Sequence, residues 1–142
     1  MAIRPIRSLL GMLGALAALL FVALPAQAGE SAQELADKPI IAKIHADWCG
    51  TCTRLNPTMA ELEKRVGAEA TVVTLDVTDK EAVARSAAEA ERLGISKFFD
   101  RYKGKNGTVG VIARDGKIVQ IYKGELDVDK YVDALAVAEK EA

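Results

Sequence analysis

The chain has 142 residues, with 19 Lys+Arg against 20 Asp+Glu, one His, two Cys and half of its residues apolar. That length favours one domain, the near-neutral charge argues against a nucleic-acid partner, and two Cys are too few for a disulfide scaffold and, with one His, for a four-ligand zinc site. Collagen, coiled coil and disorder find no support in this composition, which leaves a small mixed globular domain.

Residues 1–28 read as a cleavable secretory signal peptide. Arg4 and Arg7 precede an uncharged run from Ser8 to Leu24, and Pro25-Ala26-Gln27-Ala28 supplies a small-x-small site for a cut after Ala28. The alternative is an uncleaved membrane anchor, for which 17 residues is at the short limit of a span. No Cys follows the run, so no lipid-anchored form is expected. The mature domain, 29–142, then carries 17 Lys+Arg against 20 Asp+Glu, a net charge of −3. The expected location is the periplasm or the exterior, where disulfides persist.

Ser31 to Asp37 suggests a short helix stopped by Lys38-Pro39. Ile40 to Ala46 alternates as a strand, with Ile40, Ala42, Ile44 and Ala46 on one face and Ile41, Lys43 and His45 on the other. From Cys49 the period becomes helical through Leu55, Met59, Leu62 and Val66, ending at Gly67. Pro57 inside that helix predicts a kink. Thr71 to Val77 is a second, β-branched strand, and Asp79 caps a helix to about Leu93. In Ser96 to Gly107, Phe98, Phe99 and Tyr102 predict a further turn or two of helix docked by its aromatics. The basic loop Lys103-Gly104-Lys105-Asn106-Gly107 then reads as a solvated connection or as a rim beside a site. Val109–Ala113 and Lys117–Tyr122 flank the hairpin signal Arg114-Asp115-Gly116. Asp127 caps a last helix, with Val128, Tyr131, Val132 and Leu135 on one face. The order β-α-β-α-β-β-α predicts an α/β sandwich around one sheet.

The chemistry lies at Trp48-Cys49-Gly50-Thr51-Cys52. Two Cys two residues apart, between strand and helix, form a redox pair. A structural disulfide and half of an intermolecular metal site are the other readings. A thiol at the first turn of a helix meets unpaired N–H groups and the positive end of the dipole, which favour thiolate. Only about 3% of a free thiol titrating near pH ~8.5 is thiolate at neutrality, so this placement matters. Cys49 is the candidate nucleophile, exposed at the cap. Cys52, a turn deeper and shielded, resolves the mixed disulfide.

With these residues in place, the sequence from Pro39 to Ala142 resembles the thioredoxin-fold family. Ala46-Asp47-Trp48-Cys49-Gly50-Thr51-Cys52 is similar to its Ala-x-Trp-Cys-x-x-Cys run, Pro57 to its helix-kinking proline, Asp115-Gly116 to its hairpin turn and Gly124 to the glycine after its last strand. Asp76-Val77-Thr78 adds a likeness to small periplasmic thiol:disulfide proteins. The resemblance implies a three-layer sandwich with a central mixed sheet of about four strands. It also implies a substrate-facing surface of Trp48, Gly50, Thr51, Gly107 and Thr108.

The chain departs from the family in three places. Where the family has a cis-proline, eight residues before Gly116, stands Thr108. A cis bond without proline costs ~3–4 kcal/mol, so Gly107–Thr108 is expected to be trans, which puts in question how this loop shields the thiols from metal. Six residues before Cys49, where thioredoxins carry a buried acid, stands Lys43. It is expected either to pair with an acid such as Asp76, or to lower the thiol pKa values or accept a proton itself. Residues 96–107 form an insertion, making this region about nine residues longer than in a minimal thioredoxin. His45 is expected to be packed or hydrogen-bonded, with tuning of the cysteines as the other reading. Trp48 is expected as a lid beside the cysteines or as packing on the loop.

The function expected is a secreted or periplasmic thiol:disulfide oxidoreductase acting on protein thiols and disulfides through Cys49 and Cys52, in the reductase direction. It needs no cofactor or metal, because the step is thiolate attack on sulfur. A monomer is expected, with a membrane electron donor and no membrane contact beyond the signal segment. The rivals are a copper-handling protein using Cys49, Cys52 and His45, and a thiol-peroxidase-like enzyme.

Overall fold

The structure is a computed structural model and describes residues 37–141. The signal peptide expected over residues 1–28 and most of the short helix expected over Ser31 to Asp37 lie outside these residues. Eight elements follow in order. They are β1 (Ile40–His45), α1 (Gly50–Val66), β2 (Thr71–Asp76), α2 (Lys80–Arg92), α3 (Ser96–Tyr102), β3 (Thr108–Ile112), β4 (Ile118–Lys123) and α4 (Val128–Lys140). The strands form one mixed sheet in the order β2-β1-β3-β4. β1 is parallel to β2 and antiparallel to β3, and β3 is antiparallel to β4. This is the α/β sandwich expected from the element order.

Alternation along β1 divides the molecule into two cores. Ile41 points to the layer of α1 and α4, where it meets Leu55, Leu62, Val109 and Leu135. Ile40, Ala42 and Ile44 point to the layer of α2 and α3, against Leu75, Ala90, Phe98 and Phe99. Each fully buried side chain of this kind contributes roughly 1.5–3 kcal/mol. Both faces of β1 are therefore covered, which fixes its register and the position of the loop that follows it.

Local signals set the boundaries. Cys49 caps α1, and Gly67 ends it with its N–H on the Glu63 carbonyl. Asp79 caps α2 by accepting from the Ala82 N–H at 2.7 Å. In the hairpin, Asp115 Oδ1 accepts from the Lys117 N–H at 2.9 Å. The expected helix after Ser96 is α3, docked by the buried rings of Phe98 and Phe99. Phe98 lies over Gly110, where a Cβ would meet the ring at 2.4 Å. β3 thus holds a glycine at the point where α3 settles on the sheet. Among the described residues no helix is long and apolar enough to cross a membrane.

Candidate active site

The site forms where β1 hands over to α1. Cys49 is half-buried at the N-cap of α1, with extended backbone angles, and its Sγ accepts from the Cys52 N–H at 3.2 Å. A cap normally supplies an oxygen for that orphan donor; here a sulfur does so. Cys52 is fully buried on the first turn, its Sγ 3.7 Å from the Ile44 carbonyl. Both are free thiols.

The two thiols are shifted in opposite directions. Burial is the largest single influence on Cys49 and pushes it up. Hydrogen bonds from the Cys52 thiol and from the N–H groups of Cys52 and Thr51, with the charge of Lys43, outweigh it, so its pKa lies below the ordinary value. Burial holds Cys52 above the ordinary value, reinforced by its bond to Cys49, and the charge of Lys43 does not overcome this. The charge of Lys43 pulls both thiols down, as expected, but burial sets the net direction at Cys52. Lys43 favours the anion on each, but the anion forms at Cys49, where the helix-end donors converge.

Lys43 itself is almost wholly buried beneath the pair. The pairing expected with Asp76 does not occur. The sheet register sets Asp76 beside His45, and its carboxylate is occupied by the Thr78 N–H at 2.9 Å and the Thr78 hydroxyl at 2.6 Å. Lys43 Nζ instead donates to Asn56 Oδ1 at 2.5 Å and to the Cys52 carbonyl at 3.5 Å. Desolvation pulls its pKa down against the opposing pull of Cys52 and Cys49. Asn56 carries no sequence signal of its own beyond its place one turn past Cys52.

The facing loop is built from glycines. Gly107 donates its N–H to the Ile44 carbonyl and accepts from the Gly124 N–H, both at 3.0 Å. Both glycines have positive φ, 76° and 64°. A Cβ on Gly107 would lie 2.9 Å from Thr51 Cγ2, and one on Gly124 would lie 3.0 Å from the same methyl. Thr51, the residue between the cysteines, is thus seated against two glycines from opposite ends of the β3–β4 hairpin, one of which resembles a family position. Thr108 opens β3, buried, and every described peptide bond, including Gly107–Thr108, is trans. Gly50 faces open space.

The basic loop is tied to this edge, since the Thr108 N–H reaches the Lys105 carbonyl at 3.3 Å. Arg101 and Lys105 lie over the Tyr102 ring at 5.9 and 5.2 Å, and Lys103 over Phe99 at 5.8 Å. Trp48 is 68% exposed, and its indole N–H reaches the Thr78 carbonyl at 3.4 Å. It is an open ring next in the chain to Cys49, anchored to the loop that follows β2. His45 is hydrogen-bonded, Nε2 to Asp47 Oδ1 at 3.2 Å, while its Nδ1 is buried without a partner. The structure does not gather His45 with the cysteines. Among the described residues no three His, Cys, Asp or Glu side chains are placed to hold a metal ion.

This arrangement meets known proteins at the level of family. The thioredoxin family model matches residues 24–101, more than half of the chain. A protein disulfide-isomerase from Datisca glomerata is 32% identical over 98 residues, covering 68% of this chain and 17% of that protein. A chloroplastic thioredoxin Y from Oryza sativa subsp. japonica is 23% identical over 105 residues, 74% of this chain and 54% of that one. The chain therefore spans a fraction of the curated relatives it matches. In fold, it is similar to the crystal structure of the pneumococcal exposed lipoprotein thioredoxin from Streptococcus pneumoniae strain TIGR4. The TM-score is 0.54 at 21% identity, over 75% of this chain and 89% of that one. With β1, the cysteine pair and α1 all inside the span that the family model matches, the chain belongs to the thioredoxin family.

Proposed function

We propose that the protein is a thiol:disulfide oxidoreductase that exchanges electrons with cysteines of partner proteins through Cys49 and Cys52. The observation that carries this reading is the opposite treatment of the two sulfurs. One is accessible at a helix end and shifted toward thiolate, and the other is buried and shifted toward thiol. In the reductive direction, Cys49 thiolate attacks a partner disulfide, the partner's S–S bond breaks, and the departing partner sulfur takes up a proton. The mixed disulfide then holds Cys49. Cys52 gives up its proton and attacks the Cys49 sulfur, closing the internal disulfide and releasing the partner's second thiolate. Trp48, Gly50 and Thr51 form the surface against which the partner chain lies, and Gly107 and Thr108, expected on it, are buried behind it.

The reductase direction rests on the run Trp48-Cys49-Gly50-Thr51-Cys52, which is similar to that of reducing members. The location is the periplasm or the exterior, after removal of residues 1–28, with a membrane protein as electron donor to a monomer. The Cys52→Ser variant tests the reaction, because it halts the cycle after attack. Partner proteins should accumulate on Cys49 as reducible adducts in the native compartment, and their absence there would overturn the proposal. A midpoint potential nearer ~−270 than ~−120 mV supports reduction as the direction, and one nearer ~−120 mV overturns it.

A further inference from the structure

A third ionisable group lies under the two thiols. Lys43 is 2% exposed and ranks among the largest fully buried side chains. Its Nζ has two oxygen acceptors, Asn56 Oδ1 and the Cys52 carbonyl. Among the described residues it makes no ion pair with a carboxylate. At its rung of the sheet the neighbours are Thr74 and Val109, neither of them ionisable. On its own strand, His45 turns to Asp47. From α4, Tyr131 turns its hydroxyl to the Glu125 carbonyl at 2.8 Å. The titratable groups that bear on it are Cys52 and Cys49.

A buried ammonium needs an anion or a full set of acceptors, whereas a buried amine needs far less. The anion this site can create is the Cys49 thiolate, and that anion exists only while the pair is reduced. We propose that Lys43 is a redox-linked proton site, an amine when Cys49 and Cys52 are joined as a disulfide and an ammonium when Cys49 is a thiolate. This rests on the thiol–disulfide reading above. On reduction, the disulfide and the amine together take up two electrons and two protons. The S–S bond breaks, leaving thiolate on Cys49, thiol on Cys52 and ammonium on Lys43. A partner dithiol supplies both electrons and both protons as it closes to its own disulfide. The site is neutral in both states, which a poorly hydrated place favours. Asn56, exposed on α1 and bonded to Nζ, marks the proton's way to solvent. The pKa directions are consistent: the cysteine charges pull Lys43 up against burial, and Lys43 in turn pulls Cys49 down.

The test is the midpoint potential of the full chain against pH, measured by direct voltammetry for wild type, Lys43→Met and Asn56→Asp. Above the titration of Cys49, the wild type should still take up two protons per electron pair. The reduction constant then changes 100-fold per pH unit, about 59 mV at 29.6 mV per tenfold. Lys43→Met should take up one proton, tenfold per unit and about 30 mV. Asn56→Asp gives the lysine a permanent carboxylate, so it should also show the one-proton slope with the lysine still present. A lysine that only fills space gives all three proteins the same slope, and that result overturns the inference. So does a one-proton slope in the wild type. The complete lack of a reversible two-electron couple overturns the oxidoreductase reading itself, and this inference with it.

Discussion

Replacing Gly107 with Ala tests whether the hairpin and the cysteine turn are fitted to each other. At φ 76° an L side chain costs ~1–2 kcal/mol before it touches anything. The new Cβ would then lie 2.9 Å from Thr51 Cγ2 and 3.3 Å from Thr51 Cβ. Thr51 has no free retreat, because its methyl also lies 3.0 Å from where a Cβ on Gly124 would stand. Overpacking of this kind costs ~1–3 kcal/mol. The two effects together amount to about 2–5 kcal/mol. With a urea slope of ~1–3 kcal/mol/M, the unfolding midpoint should fall by roughly 1 M or more. Thr51→Ser removes the crowding methyl and leaves the backbone strain. In a double-mutant cycle by urea unfolding, it should therefore return about 1 kcal/mol to the Gly107→Ala protein. Turnover of a peptide disulfide should fall in the single variant and recover in part in the double. A Gly107→Ala protein with the wild-type midpoint, or a cycle that is purely additive, would refute the fit.

Two further outcomes follow from the caps and the buried lysine. Asp79→Ala should cost ~0.5–2 kcal/mol in chemical unfolding, because it removes the acceptor of the Ala82 N–H, while the alkylation rate of Cys49 stays at its wild-type value. Burial lowers the Lys43 pKa from the ordinary 10.5 against the opposing charges of Cys52 and Cys49. Closing the disulfide removes those charges, so in the oxidised protein Lys43 should bind its proton more weakly folded than unfolded. Between the lowered native pKa and 10.5 the unfolded chain holds the extra proton, so stability rises with pH and levels off above that window. The slope from this group is at most ~1.4 kcal/mol per pH unit. Thermal or urea unfolding of Lys43→Met should lack that rise; a slope equal to the wild type would contradict the burial argument.

Much of this molecule can be read along the chain, and what cannot has a common cause. The alternation of β1, the caps Asp79 and Asp127, the aromatic pair Phe98 and Phe99 and the Cys49/Cys52 spacing are local, and each lies where its pattern puts it. The partner of Lys43 was not legible. Asp76 is on the adjacent strand, but Thr78 claims its carboxylate, and α1 brings Asn56 over the lysine from 13 residues away. The seat of Thr51 was equally hidden. It depends on Gly107 and Gly124, which the hairpin joins to each other and to the cysteine turn. The resemblance marked both ends of that contact without showing that they touch. The strength of each thiol also needed the fold, since the same Lys43 charge acts on two sulfurs of unequal burial.

The most direct test of the account is the titration of each cysteine separately in the reduced full chain. The rate of alkylation is followed against pH and read by mass spectrometry at Cys49 and at Cys52. The account predicts that Cys49 reacts with a midpoint below the ordinary thiol value, while Cys52 titrates above it and reacts slowly. A Cys49 midpoint at or above that of an ordinary thiol, or faster reaction at Cys52, would contradict it.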